Sequence, residues 1–165
     1  MKPRFVIVTL VVTLLFAANY AEAQTLKKQI VGTWELVSAV NEVDGKKVDM
    51  YGPNPVGPYT FTRDGHFSIF LARPDRPKFA TNNRTTGTPE ENKAAVAGFN
   101  ALAGTYKINP DGKSITLHIV AASFPNWEGT DQPRDVQISG DEMKISVPLA
   151  STGTGRSVIT LKRAK

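Results

Sequence analysis

No cysteine occurs anywhere in the 165 residues, so no disulfide, zinc–thiolate site or lipid-modified cysteine is available. Histidine is scarce too: there are two, His66 and His118, and no H-E-x-x-H or comparable spacing gives either a second ligand. The sequence therefore calls for no metal and no cofactor. Basic residues outnumber acidic ones, 20 to 15, but the charges are interspersed: Lys27-Lys28, then Glu35 and Glu42, then Lys46-Lys47 and Asp49. A basic stripe with interleaved aromatics is missing, which argues against a nucleic-acid partner. Past the first residues, no apolar run approaches the roughly 20 needed to cross a bilayer.

What is present begins with a three-part N-terminus. Met1-Lys2-Pro3-Arg4 is basic, Phe5–Ala18 is apolar, and Ala21-Glu22-Ala23 is a small-x-small cleavage pattern. This predicts a secretory signal over residues 1–23, cut near Ala23, with one domain over residues 24–165. Losing Lys2, Arg4 and Glu22 takes one charge off the formal +5. The expected location is the periplasm or the exterior, in a bacterial setting. An exported domain without disulfides must be held by its core alone.

The rest reads as short alternating segments separated by turn residues. Leu26–Val31 is a helical lead-in, and Gly32-Thr33-Trp34 opens a strand running to about Val43. Asp44-Gly45 turns into a short strand near Val48–Tyr51, and Gly52–Pro58 interrupts regular structure. Tyr59–Arg63 and His66–Leu71 form a hairpin around Asp64-Gly65. A two-residue turn there places Tyr59 and Phe61 on one face with Ser68 and Phe70. Thr88, Pro89 and Glu91 make a capping box for a helix over about Pro89–Leu102, whose face would carry Ala95, Phe99 and Leu102 before Gly104 ends it. Thr105–Asn109 and Ser114–Ala122 pair around Pro110–Lys113, and Arg134–Ser139, Glu142–Val147 and Ser157–Arg163 complete the series. About eight short strands with one inserted helix predict a mainly β fold, a single antiparallel barrel.

Several of these pieces, taken in order, carry a resemblance. They are Gly32-Thr33-Trp34, Val56-Gly57, Thr62-x-Asp64-Gly65-His66, Arg73-Pro74-x-Arg76-Pro77-x-Phe79, Gly87-Thr88-Pro89-Glu90-Glu91, Gly104-Thr105-Tyr106, and His118 to Arg134 with Phe124-Pro125-Asn126-Trp127-Glu128-Gly129 inside it. Through them nearly all of residues 24–165 resembles the bacterial lipocalin-like domain family. The resemblance implies an eight-stranded calycin-like barrel and no particular activity. It also implies that Trp34 closes the barrel floor beneath a late arginine, a place Arg163 has the strand parity to fill. About 200 Å² of buried indole contributes up to ~5 kcal/mol, and a cation–π contact roughly 0.5–2 more. Where the family pattern often has a carboxylate two residues after the histidine, this chain has Val120. A histidine–carboxylate pair within that strand is not expected.

Candidate site residues follow from strand parity. If Pro110–Lys113 is the turn, Tyr106 pairs with Leu117 and Ile108 with Ile115, so Tyr106, Leu117 and Ile119 face inward. His118 then lies opposite, on the outer face that the helix could cover, and is a candidate proton carrier or ligand contact. Tyr59 and Phe61 join the inner face. Arg134 has the parity of Val136 and Ile138; buried, it needs a partner, either Glu128 or Asp131 nearby or the anionic end of a ligand. Trp127 sits at a rim. The predicted ligand-binding set is Tyr59, Phe61, Tyr106, Leu117, Ile119, Arg134, Trp127 and His118, with Trp34 and Arg163 structural. An eight-stranded lumen is either packed with side chains or holds one small ligand. Three functions follow: a barrel binding a small, mostly apolar or amphipathic molecule, an isomerase- or cyclase-like enzyme using Tyr106 or His118, and a filled barrel acting as an interaction module.

Overall fold

Turn residues and alternation divide the chain into strands at nearly every predicted point. The computed structural model describes residues 22–148 and 153–165, so all but the last part of the predicted signal lies outside the described residues. A helix α1 spans residues 22–30. The strands are β1 (Gly32–Val43), β2 (Lys46–Asp49), β3 (Pro58–Phe61), β4 (His66–Ala72), β5 (Phe99–Ile108), β6 (Ser114–Ala122), β7 (Asp131–Ser139), β8 (Glu142–Val147) and β9 (Arg156–Arg163). A helix α2 (Pro89–Ala97) precedes β5, and a 3-10 turn (Pro125–Trp127) precedes β7.

All neighbours pair antiparallel in the order β2-β1-β3-β4-β5-β6-β7-β8-β9, and β1 also pairs with β9. That last pairing closes β1 and β3–β9 into a barrel and leaves β2 as a flap on the end of β1, every residue of it exposed. β1 has twelve residues because it serves three partners. A bulge between Leu36 and Ser38 resets its parity, so Trp34, Leu36, Ala39 and Asn41 all point inward while Val37 is left outside. Asp44-Gly45 makes the predicted turn with positive φ at both positions (49° and 73°). β2 lies earlier than the predicted Val48–Tyr51, because the tight turn starts pairing at once, Val43 opposite Lys46.

Two predictions are corrected. The β3–β4 connection is four residues, Thr62–Gly65, closed by bonds from the Thr62 amide to the His66 carbonyl and from the Gly65 amide to the Thr62 carbonyl. Tyr59 is therefore opposite Ile69 and Phe61 opposite Phe67, so Ser68 and Phe70 fall on the outer face. Second, α2 stops at Ala97. Its capping box forms as predicted, the Thr88 hydroxyl accepting from the Glu91 amide at 3.2 Å and the Thr88 amide donating to Glu91 at 2.8 Å. But α2 buries no residue, whereas Phe99 onward zips onto β4 from Ala72↔Phe99 to His66↔Thr105. Seven ladder pairs outweigh a weak helical stripe. Gly104 is not the helix cap; it sits at the β5–β6 bulge, where a Cβ would lie 2.0 Å from the His118 carbonyl oxygen. Outside the barrel, the Arg76 guanidinium lies over the Phe99 ring at 5.0 Å.

The floor is dense. Trp34 is fully buried, its Nε1 donating to the Ile30 carbonyl at 2.9 Å. Arg163 lies 4.0 Å over its ring and donates to the carbonyls of Gln29 (2.7 Å) and Val31 (3.2 Å) at the end of α1. One guanidinium thus caps a helix and seals a tryptophan. Phe61 packs edge-on to Tyr106 at 5.2 Å and beside Phe67 at 6.5 Å.

Candidate functional site

The predicted hairpin register between β5 and β6 is present, with Tyr106 opposite Leu117 and Ile108 opposite Ile115. It directs Ile115 and Leu117 into the lumen, where β3, β4, β7, β8 and β9 contribute Tyr59, Ile69, Arg134, Ile145 and Ile159. Together they surround a cavity of about 460 Å³, so the barrel is not packed solid. A volume in this range, apolar with a few polar groups, suits one small organic molecule.

The polar groups gather on one part of the wall. Arg134 is partly buried on the inner face of β7, opposite Ile115. Its Nη1 donates to the Pro133 carbonyl at 2.8 Å and its Nη2 to Gln132 Oε1, both on its own strand. It makes no ion pair among the described residues, and residues 1–21 and 149–152 contain no acidic side chain. The two expected partners are committed elsewhere. Asp131 meets His118 Nδ1 at 2.8 Å, and Glu128 Oε1 accepts from the Ala122 amide at 3.2 Å. Loss of surrounding water pushes the Arg134 pKa down to about 10, with Tyr59 acting the other way. The group still carries its charge at neutral pH.

Beside it stand two phenols. Tyr59 is almost fully buried; burial drives its hydroxyl far above the ordinary tyrosine range, Tyr51 adds to that, and Arg134 pulls it partly back. Burial raises Tyr51 as well, against a lowering hydrogen bond with Asn100. Both therefore stay neutral hydrogen-bonding groups at any ordinary pH. Trp127 also lines the cavity, from the 3-10 turn, its ring edge-on to Phe124 at 5.5 Å and its carbonyl accepting from the Thr130 hydroxyl at 2.6 Å.

The structure divides the predicted set. Tyr59, Leu117, Trp127 and Arg134 line the cavity; Phe61, Tyr106 and Ile119 do not. Phe61 and Ile119 are fully buried in packed core. The Tyr106 hydroxyl donates to the Thr62 carbonyl at 2.8 Å, away from the lumen wall. His118 points outward and half-exposed, paired with Asp131 across the β6–β7 ladder and not covered by α2. A histidine–carboxylate pair thus exists after all, supplied by the neighbouring strand. Neither Tyr106 nor His118 faces the cavity, so the proton-transfer roles considered for them have no substrate-facing geometry. Tyr51, Asn100 and Gln132 went unpredicted as wall residues. Asn100 has the parity of Leu102 and was hidden by extending the helix through it.

A family model described as a lipocalin-like domain matches residues 31–165. A 4'-hydroxy-3'-methoxypropiophenone carrier protein from Aspergillus oryzae is 32% identical over 106 residues, an alignment that covers 58% of this chain and 95% of that protein.

Proposed function

The chain belongs to the lipocalin-like domain family, and from that premise we propose that it is a carrier, holding one small, mostly apolar molecule in its lumen with the polar end toward Arg134. The observation that carries this is the cavity of about 460 Å³ in a closed barrel, aliphatic over most of its wall and polar where Arg134, Tyr59 and the Tyr51–Asn100 pair meet. The relative named as a carrier supports it: a propiophenone with ring hydroxyl and methoxy groups has an apolar body and a polar end of the kind this wall would divide. Binding N-phenyl-1-naphthylamine, an uncharged dye that brightens in apolar surroundings, tests the reading. One molecule should bind per chain, and Leu117→Phe or Ile159→Phe, each thrusting a ring into the space, should weaken binding at least about tenfold. Undiminished binding in both variants would place the dye elsewhere and remove the carrier reading.

The same proposal includes export. Its support is the basic, apolar and small-x-small order of residues 1–23, together with the position of the first buried α1 residue, Leu26, just past the predicted cut. Cleavage after Ala23 would discard Glu22, whose carboxylate lies 3.5 Å from exposed Lys113 Nζ, and would leave Leu26 and Ile30 in the core. Intact mass of the protein from its own host should start at Gln24; a chain retaining Met1 would refute export by this route.

A further inference from the structure

The arginine in the cavity has a consequence for the chemical form of the cargo. We propose that the site takes aromatic weak acids as their anions, Arg134 receiving the oxyanion, so that a bound acid loses its proton at a lower pH than the free one. This inference rests on the carrier reading and adds a charge state to it.

The charge on Arg134 has no match among the described residues of the cavity wall. A guanidinium withdrawn from water is stabilised by a carboxylate or by several carbonyls; Arg163 has both, with Asp141 at 3.8 Å besides its carbonyl partners. Arg134 has one carbonyl and one side-chain amide oxygen among the described residues, and its remaining guanidinium N–H groups are open to the cavity, with no carboxylate to match the charge. No titratable neighbour can supply the missing negative charge. Facing the cavity are Tyr59 from β3 and Tyr51 from the segment after β2; Asp131 at the start of β7 contributes to the rim of the lining while its side chain turns outward. The two phenols are held neutral by burial, and the Asp131 carboxylate is engaged by His118 on the outer surface. The flanking β6, β8 and β9 positions are Ile115, Leu117, Ile145 and Ile159, none of which ionises.

An anion entering this space loses its own hydration, which raises its pKa; an opposite charge in contact lowers it. The second effect wins here because part of the cation's desolvation is already built into the fold, so contact with an anion adds attraction without that cost. The neutral phenol hydroxyls can add donors to the same oxygen. Three rings in the cavity lining, Tyr51, Tyr59 and Trp127, suit a planar aromatic ligand.

The test uses 4-nitrophenol, whose phenolate absorbs visible light, and its methyl ether 4-nitroanisole, which cannot ionise. With the full-length protein in excess, a pH titration should show bound 4-nitrophenol ionising about one unit or more below the free compound, equivalent to phenolate binding about tenfold tighter than phenol. Arg134→Leu should abolish the shift and lower 4-nitrophenolate affinity by more than it lowers 4-nitroanisole affinity, and Arg134→Lys should keep part of the shift. If wild-type protein binds 4-nitroanisole but leaves the 4-nitrophenol titration unmoved or raised, the anion inference is wrong and the carrier reading stands. If neither compound binds, both are wrong.

Discussion

The barrel turns two arginines toward its interior, and they live under opposite conditions. Arg163 at the floor is fully provided for: an indole face at 4.0 Å, two helix-end carbonyls and a carboxylate at 3.8 Å. Arg134 in the wall of the cavity has only acceptors from its own strand and a neutral tyrosine beside it. The first arrangement is what a structural cation needs, because two carbonyls, a ring face and a carboxylate meet its charge within the fold. The second supplies hydrogen-bond acceptors but no negative charge among the described residues. A cation with no matching negative charge in the wall of a cavity is the feature on which the proposed binding role rests.

Truncating the floor should have the largest effect. Trp34→Ala removes a fully buried ring and should destabilise by about 3–5 kcal/mol in urea unfolding, with Arg163→Met a step below it, since it strips the cap from α1 and the cation from the indole. If Arg163→Met unfolds like wild type, the floor is not sealed by charge and the comparison fails on that side. Arg134→Leu should act with the opposite sign: removing an unpaired charge from a partly apolar wall should raise stability, by about 1 kcal/mol or more. A loss of stability there would mean that Arg134 is a structural cation like Arg163.

Alkaline pH sharpens the contrast further. Tyr51, Tyr59 and Tyr106 all titrate above their ordinary value of 10.0 in the folded chain. The folded state therefore holds their protons more tightly than the unfolded state does. Their contribution is complete below pH 10.0 and declines as pH rises past it. Arg134, shifted downward, acts in the opposite direction. Three groups against one should make stability fall above pH 10, and Tyr59→Phe should blunt the fall; a Tyr59→Phe profile parallel to wild type would contradict the burial assigned to that phenol. The smallest effect belongs to His118→Ala. Its pair with Asp131 is exposed on both sides, so stability should change by less than about 0.5 kcal/mol and binding in the lumen should not change.

Most of the barrel was legible because its information is local. Asp44-Gly45 and Pro110–Lys113 specify their turns, and period-two alternation then settles which of Tyr106, Leu117 and Ile115 share a face. Trp34 and Arg163 could be matched through a family pattern and strand parity, although 129 residues separate them. What stayed hidden depended on competition or on pairing across strands. Four turn residues instead of two at Thr62–Gly65 reversed the outlook of Ser68 and Phe70. The capping box at Thr88 correctly signals where α2 begins, but its end is decided by β4, whose ladder claims Phe99 to Thr105. That competition concealed Asn100. The His118–Asp131 pair was missed because its members meet through β6–β7 registry and not through spacing along one strand.

The most direct test of the contrast between the two arginines is a matched pair of dyes, 1-anilinonaphthalene-8-sulfonate and N-phenyl-1-naphthylamine, which share a skeleton and differ by the sulfonate. Their affinities are measured on wild type and on Arg134→Leu at neutral pH. Wild type should bind the sulfonate at least about tenfold more tightly than the neutral dye, one factor of ten corresponding to ~1.4 kcal/mol, and Arg134→Leu should lose this preference. Equal affinities for both dyes in wild type, or a preference that survives in Arg134→Leu, would contradict the role given to Arg134.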